Sequence, residues 1–254
     1  MAEDDRPIAI ATRRERTRAA TVREIKTTAR RLLIEQGAES VTLRAIAREM
    51  GMTAPALYRY FDSHDALLSA VVADVYDELA DSLEEARDSI APSDPGTRLL
   101  EMAREFRHWS TEHPREFGLV FATPVPLVID APSPLDKAGS RFGAVFVHAF
   151  FQLFTERPFP VRSDDELPPD FRDQLDHYRQ KMCAQMGDVV LMIPLGAYEV
   201  FLECWVRLYG FVALEVFDHL TFALTDPEPA FEAHLRGIAD RLGITVPDGL
   251  SEDD

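Results

Sequence analysis

Two short amphipathic stretches, joined across a bend of a few residues at Gly51, constrain this chain more than any other feature. The first follows Thr42, whose hydroxyl is placed to cap a helix, and puts Leu43, Ile46, Ala47 and Met50 on one face. The second follows Thr53 and is predicted to run from Ala54 to Phe61. Pro55 falls in its first turn, where the N–H it lacks has no intrahelical partner. Leu57 and Phe61 face inward, so Tyr58, Arg59 and Tyr60 cover much of the remaining circumference. Two helices at this spacing, with a glycine at the bend, have the geometry of a helix-turn-helix.

Helical signals continue on both sides. Thr21 and Glu24 form a capping box, Ile25, Ala29, Leu32 and Leu33 share one face, and Gly37 supplies a left-handed stop, which predicts a first helix from Thr21 to Gln36. Ser63 caps a longer helix whose stripe of Leu67, Leu68, Val71, Val75 and Leu79 carries it to Ile90, where Ala91 to Gly96 stops it. Further helices are predicted at Thr97 to Glu112, Arg115 to Ala122, Leu135 to Glu156, Pro169 to Met186, Leu195 to His219 and Glu228 to Leu242. Proline clusters punctuate them, and no period-two alternation is long enough for a sheet, so the fold class is all-α.

The chain has 254 residues, 46% hydrophobic and 28% charged, enough for one large domain or a small one joined to a larger. Its longest apolar stretches are interrupted by His148 and Gln152 or by Glu199 and Glu203, too soon for a membrane helix. The acidic start lacks the apolar segment of a secretory signal, so a cytoplasmic protein is expected. Cys183 and Cys204 stand alone, outside any metal-ligand spacing, and no metal or cofactor is expected. The net charge of −17 argues against a polyanionic partner, but its distribution reverses the inference. Residues 6–61 hold twelve Lys and Arg against five Asp and Glu, whereas residues 62–254 hold fifteen against thirty-six. A basic head on an acidic body suits one surface to phosphates.

Thr21 to Leu68 resembles the DNA-binding domain of the TetR family of bacterial regulators. The matching positions are T-x-x-E-I from Thr21, then Gly37, Thr42-x-Arg44-x-Ile46-Ala47, Gly51, Pro55-x-Leu57-Tyr58-x-Tyr60-Phe61 and Leu67. The resemblance implies a homodimeric regulator with an N-terminal helix-turn-helix domain and a larger C-terminal domain for ligand binding and dimerisation. The expected divisions are a basic, disordered arm at 1–18, the DNA-binding domain at 19–66, the ligand-binding and dimerisation domain at 67–246 and an acidic tail at 247–254. Trp205 to Glu215 also resembles a helix of one TetR subclass with W-x-x-x-H-G spacing, but Tyr209 stands where that pattern has histidine.

By this resemblance the helix from Ala54 enters the major groove. Tyr58 and Tyr60 would donate to phosphates, Arg59 would reach a base or a phosphate, and Arg44 is the best candidate for base-edge or adjacent phosphate contact. Ala54 and Ala56 permit close approach beside Pro55, while Thr42 and Thr53 offer hydroxyls and helix-terminal N–H groups. His64 stands where the family usually has a phosphate-binding lysine, and Arg13, Arg14, Arg16 and Arg18 are placed to compensate. The implied partners are duplex DNA, a second copy joined through the last two helices and a small-molecule effector, with no membrane. Leu202, Val206, Tyr209 and Ala213, or Phe231, Leu235, Ile238 and Leu242, are the apolar stripes expected to serve the dimer.

The expected effector residues are Phe106, Trp109, Phe121, Phe146, Phe150, Met182, Met186, Trp205 and Tyr209, a set rich in rings and sulfur that suits an apolar pocket. Two other classes stay open. One is a DNA-binding regulator without a ligand; the other is a helical enzyme using Glu199 or Glu203 near Tyr209, although no catalytic sequence motif supports it and no catalytic residue is assigned.

Overall fold

The computed structural model describes residues 12–122 and 133–245, apart from the side chains of residues 184–186 and 189. The described residues form ten α-helices: α1 (Arg13–Gln36), α2 (Leu43–Glu49), α3 (Ala54–Leu57), α4 (His64–Ser89), α5 (Pro95–Glu112), α6 (Pro114–Phe121), α7 (Pro134–Glu156), α8 (Pro169–Met186), α9 (Leu195–Val216) and α10 (Glu228–Arg241). No strand occurs among them, in keeping with the all-α expectation. None of these helices is long and apolar enough to cross a membrane.

α1 to α3 and the first turns of α4 close around Ile25, Leu32, Ile46, Leu57 and Leu67. The two bends use glycine in the left-handed region, Gly37 at φ 86° and Gly51 at φ 65°, where a side chain would be strained. α4 belongs to both halves of the molecule. Its Leu67 and Val71 complete the head, while Val75, Leu79 and Leu83 enter the body core. Its 26 residues make a rod of roughly 39 Å that carries the head on the body. In the body α4 packs along α5 and α7, and α9 and α10 cover α5 from the other side.

Three boundaries differ from the sequence reading by three residues or more. α1 begins at Arg13 rather than Thr21, because Thr12 and Glu15 form an earlier capping box and nothing from 13 to 20 breaks a helix. Thr21 instead lies mid-helix, donating its hydroxyl to the Thr17 carbonyl at 3.1 Å. The expected arm is therefore helical from residue 13, while residues 1–11 and the acidic tail at 247–254 lie outside the described residues. α3 ends at Leu57, and Tyr58 to Tyr60 form the turn after it. α9 ends at Val216, with Asp218 at φ 59° turning the chain toward α10.

Candidate nucleic-acid interface and effector cavity

The basic charge of the head is sorted by side. Facing the body, Lys26 pairs with Asp74 at 2.5 Å and Arg30 with Glu78 and Glu116, while Arg31 pairs within the head with Glu35 and Glu49. On the opposite side Arg44, on exposed α2 surface, and the guanidinium of Arg59 have no acidic partner among the described residues. Tyr58 is exposed beside them, Pro55 is exposed, and Ala54 and Ala56 are half-exposed. Thr42 caps α2 by accepting from the Ala45 N–H at 3.1 Å, whereas the Thr53 side chain makes no cap bond and stays exposed.

Tyr60 and His64 are less available than their neighbours. The Arg18 guanidinium lies over the Tyr60 ring, 5.1 Å from its centre, and donates to the Arg59 carbonyl at 3.1 Å. That contact anchors the α1 extension beside the turn, where Arg13, Arg14, Arg18 and Arg59 line a cleft of about 540 Å³. His64 Nε2 lies 2.5 Å from the Val41 carbonyl, so this nitrogen carries the proton and donates to the carbonyl. With that tautomer a neutral imidazole leaves Nδ1 as an acceptor, which a phosphate oxygen cannot satisfy.

The seam between head and body is polar and partly buried. Glu116 on α6 is buried, with its Oε1 3.1 Å from Arg30 Nε. The pairing with Arg30 holds the Glu78 carboxyl below its ordinary range, helped by the Trp109 indole N–H at 3.4 Å. Trp109 itself stacks on His113, ring centres 4.7 Å apart.

Behind the seam, α5, α6, α7 and α9 converge on a continuous group of rings. Phe106 meets Phe121, Phe146 and Trp205; Trp205 stacks on Tyr209, which also meets Phe121. The Tyr209 hydroxyl donates to the Phe121 carbonyl at 3.2 Å, tying α9 to the end of α6. Beside this group, between α7, α8 and α9, lies a cavity of about 440 Å³, lined by rings including Phe142, Phe146, Tyr198 and Trp205. A smaller space of about 40 Å³, bordered by Phe146, Phe150 and Trp205, adjoins it.

Residues 25–71 match the family described as bacterial regulatory proteins, tetR family, and residues 99–238 match the tetracyclin repressor-like C-terminal domain. The second match alone covers more than half of the chain. The chain belongs to the TetR family. It is 31% identical over 208 residues to the HTH-type transcriptional regulator Rv1816 of Mycobacterium tuberculosis, covering 82% of this chain and 86% of that one. Among solved structures it resembles SCO4313, assigned as a regulatory protein, with 33% identity, a TM-score of 0.67, and coverage of 90% of this chain and 100% of that one. RolR, solved in complex with resorcinol, has the same fold at 18% identity and a TM-score of 0.54, covering 93% of this chain and 98% of that one. A helix-turn-helix DNA-binding transcriptional regulator is thus the class to which this TetR protein is assigned.

In this TetR chain the expected effector residues divide into groups. Phe146, Phe150 and Trp205 border cavities, and Phe106, Phe121 and Tyr209 form the adjoining rings. Trp109 sits at the seam instead, and Met182 is buried without bordering either cavity. The Met186 side chain lies outside the described residues. Sequence reasoning missed Tyr178, Tyr198, Phe171 and Gln174. The first and third lie on α8, whose apolar spacing Phe171, Leu175, Tyr178 was a usable signal among many charges.

The structure also separates the residues of the enzyme alternative. Glu199 pairs with Arg162, Glu203 lies 3.4 Å from Arg241, and the Tyr209 hydroxyl is engaged by Phe121. Phe231, Leu235 and Ile238 on α10 and Leu242 just after it are buried within their own chain, so they are not an exposed dimer stripe. Of the α9 stripe, Leu202 and Val206 are exposed and Tyr209 and Ala213 are half-buried. Exposed apolar surface instead continues through Leu214 and Phe217.

Proposed function

We propose that the protein is a ligand-released repressor that binds a roughly palindromic operator as a homodimer. The observation that carries this reading is the sorting of the head's cations. Arginines near the body are neutralised by carboxylates, whereas Arg44 and Arg59 are left for a polyanion on the face that carries α3. Arg44 would read a base edge, a guanidinium being matched to guanine O6 and N7. Tyr58, Thr42, Thr53 and the small surface of Ala54, Pro55 and Ala56 would set the approach to the backbone. Tyr60 would act indirectly, as the platform for Arg18, and His64 would reach a phosphate only when protonated.

Leu202, Val206, Gly210 and Leu214 recur every fourth residue of α9 and support a two-fold contact with a second copy. A Cβ added at Gly210 would meet nothing within 4 Å in its own chain, so the glycine leaves room for close approach from outside. Two heads joined this way would engage half-sites about 34–36 Å apart or slightly more.

An effector in the α7–α8–α9 cavity would act through α6. That helix is held from the cavity side by Tyr209 on Phe121 and from the head side by Arg30 on Glu116. RolR was solved with resorcinol, so this fold holds a small aromatic molecule in that protein. Selection of bound duplexes from random DNA tests the reading: a palindrome is expected, and enrichment of single, asymmetric sites would refute the dimeric operator.

A further inference from the structure

The cavity between α7, α8 and α9 is unusual in how its polarity is distributed. Inside it are rings, notably Phe142, Phe146, Tyr198 and Trp205, and among the described residues no ionised side chain contributes to its lining. The Tyr198 hydroxyl is already committed, donating to the Val190 carbonyl at 2.9 Å, so Tyr198 offers only its ring face. A phenol is neutral near pH 7 in any case, and burial pushes that of Tyr198 up further, to about 12. The polar groups on offer are at the exposed rim, Gln174 and Tyr178 on α8. Gln174 donates its Nε2 to the Asp170 carbonyl at 3.2 Å, and that bond turns the amide so that Oε1 remains as an acceptor.

Gly143 supplies a second, independent observation. It sits in the interior of α7, where glycine costs roughly 0.5–1 kcal/mol relative to alanine. A Cβ there would meet nothing within 4 Å, so neither packing nor backbone conformation demands a glycine. What its missing side chain does provide is room, because Gly143 borders the cavity. An interior glycine that no neighbour requires, placed on the wall of an aromatic chamber, points to a guest that fills the space.

We infer that this cavity takes an uncharged, planar, multi-ring aromatic molecule carrying a hydroxyl, the rings lying among Phe142, Phe146 and Trp205 and the hydroxyl donating to Gln174 Oε1 at the rim. This rests on the effector reading above and names the chemical class of that effector. An anion would enter a wall of ring faces with no cationic side chain to receive it, on a body with a large excess of carboxylates. A cation would be buried without a carboxylate partner in the lining.

Calorimetric titration of the full-length protein with four naphthalenes of one shape tests the assignment: 2-naphthol, 2-methoxynaphthalene, 2-naphthoate and 2-naphthylmethylammonium. The first is expected to bind at least roughly tenfold more tightly than either ion. Gln174→Leu should remove the advantage of 2-naphthol over its methyl ether, a loss of roughly five- to tenfold, and leave the ether unaffected. Gly143→Leu should abolish binding of both while the protein melts at an equal or higher temperature, which separates a filled cavity from a failed fold. Equal affinity for either ion, unchanged binding by Gly143→Leu, or no binding of 2-naphthol at its solubility limit would each overturn the assignment. Operator affinity is read separately. If 2-naphthol binds as expected and the operator is not released, the cavity's chemistry stands and ligand-controlled release fails.

Discussion

The head and the body solve the packing problem with different side chains. The head's core is aliphatic except for Phe61, built from residues such as Ile25, Leu32, Ile46 and Leu57 that interdigitate between short helices. The body's core adds many buried rings to its aliphatic residues, from Phe106 and Phe117 to Tyr198 and Phe231, and both apolar cavities lie among them. Branched aliphatic side chains fill space in few arrangements, which suits a part that must present α3 in one geometry. Flat rings meeting at varied angles leave slots, which suits the proposed admission of a guest. Rigidity in the DNA-binding head, and unfilled volume where the proposed ligand would sit, follow from that choice of side chains.

This contrast is most open to challenge at Leu57. It is the buried residue of α3 and is fully buried, so Leu57→Ala should cost about 2–5 kcal/mol and abolish operator binding. Urea unfolding is the measurement, with Phe146→Leu on the cavity wall as the counterpart. A ring that already faces empty volume gives up less packing on trimming, so the second change should cost clearly less. Equal costs would mean that the body is packed as tightly as the head, and the division of labour would fail.

At the seam, Arg30→Ala should cost about 3 kcal/mol, near the low end for breaking a buried pair because Arg30 is itself partly exposed. It would leave Glu116 buried without its partner, and Arg30→Met with Glu116→Leu should recover most of the loss. The same pairing makes the seam sensitive to acid. Glu78 is held below its ordinary range by Arg30, so its contribution is complete above about pH 4.3 and is lost as pH falls through the lower folded value. Melting temperature followed from pH 6 to pH 3 should drop less steeply for Glu78→Gln than for the parent chain. Parallel curves would show that the seam does not depend on this carboxylate.

On the reading face the expected effects are smaller and differ in kind. Arg44→Ala should weaken operator binding by about 1–3 kcal/mol and relax base preference at one position of each half-site. Tyr58→Phe should weaken all sequences alike, since a phosphate carries no base information. Competition of operator variants against each protein distinguishes the two, and a sequence-blind loss in Arg44→Ala would move Arg44 from base reading to the backbone.

How much of this was legible in the sequence follows the same division. The head could be read because each element has a local sign: Thr42 and Ser63 as caps, Gly37 and Gly51 at left-handed bends, and aliphatic spacing that leaves one buried face. The start of α1 was misplaced because two capping boxes compete, and local chemistry does not say which is used. The body resisted because a ring at helical spacing packs equally well beside a neighbour or beside a void. Phe106 and Phe146 have the same sequence signature, yet only Phe146 borders the cavity. Likewise, Phe231 and Leu202 both sit on apolar stripes, and only tertiary packing shows that the first is buried and the second exposed.

The smallest effect concerns the α1 extension, where the head reaches beyond its own core. Residues 13–20 are exposed all round, and Arg18 is the described anchor, through Tyr60 and the Arg59 carbonyl. With Arg18 anchored beside the reading turn, the extension would carry Arg13 and Arg14 along a neighbouring DNA backbone rather than into a groove edge. Arg13→Ala with Arg14→Ala should therefore reduce affinity by less than about tenfold at moderate salt, with no change in sequence preference. The slope of log affinity against log salt should become shallower by about 0.9 for each phosphate that is no longer neutralised. Arg18→Ala should produce the same shallower slope, because it releases the extension from Tyr60 even though Arg13 and Arg14 remain. An unchanged slope in the double variant would confine the reading surface to α2, α3 and the turn after it, and the helical extension would then serve only to lengthen α1.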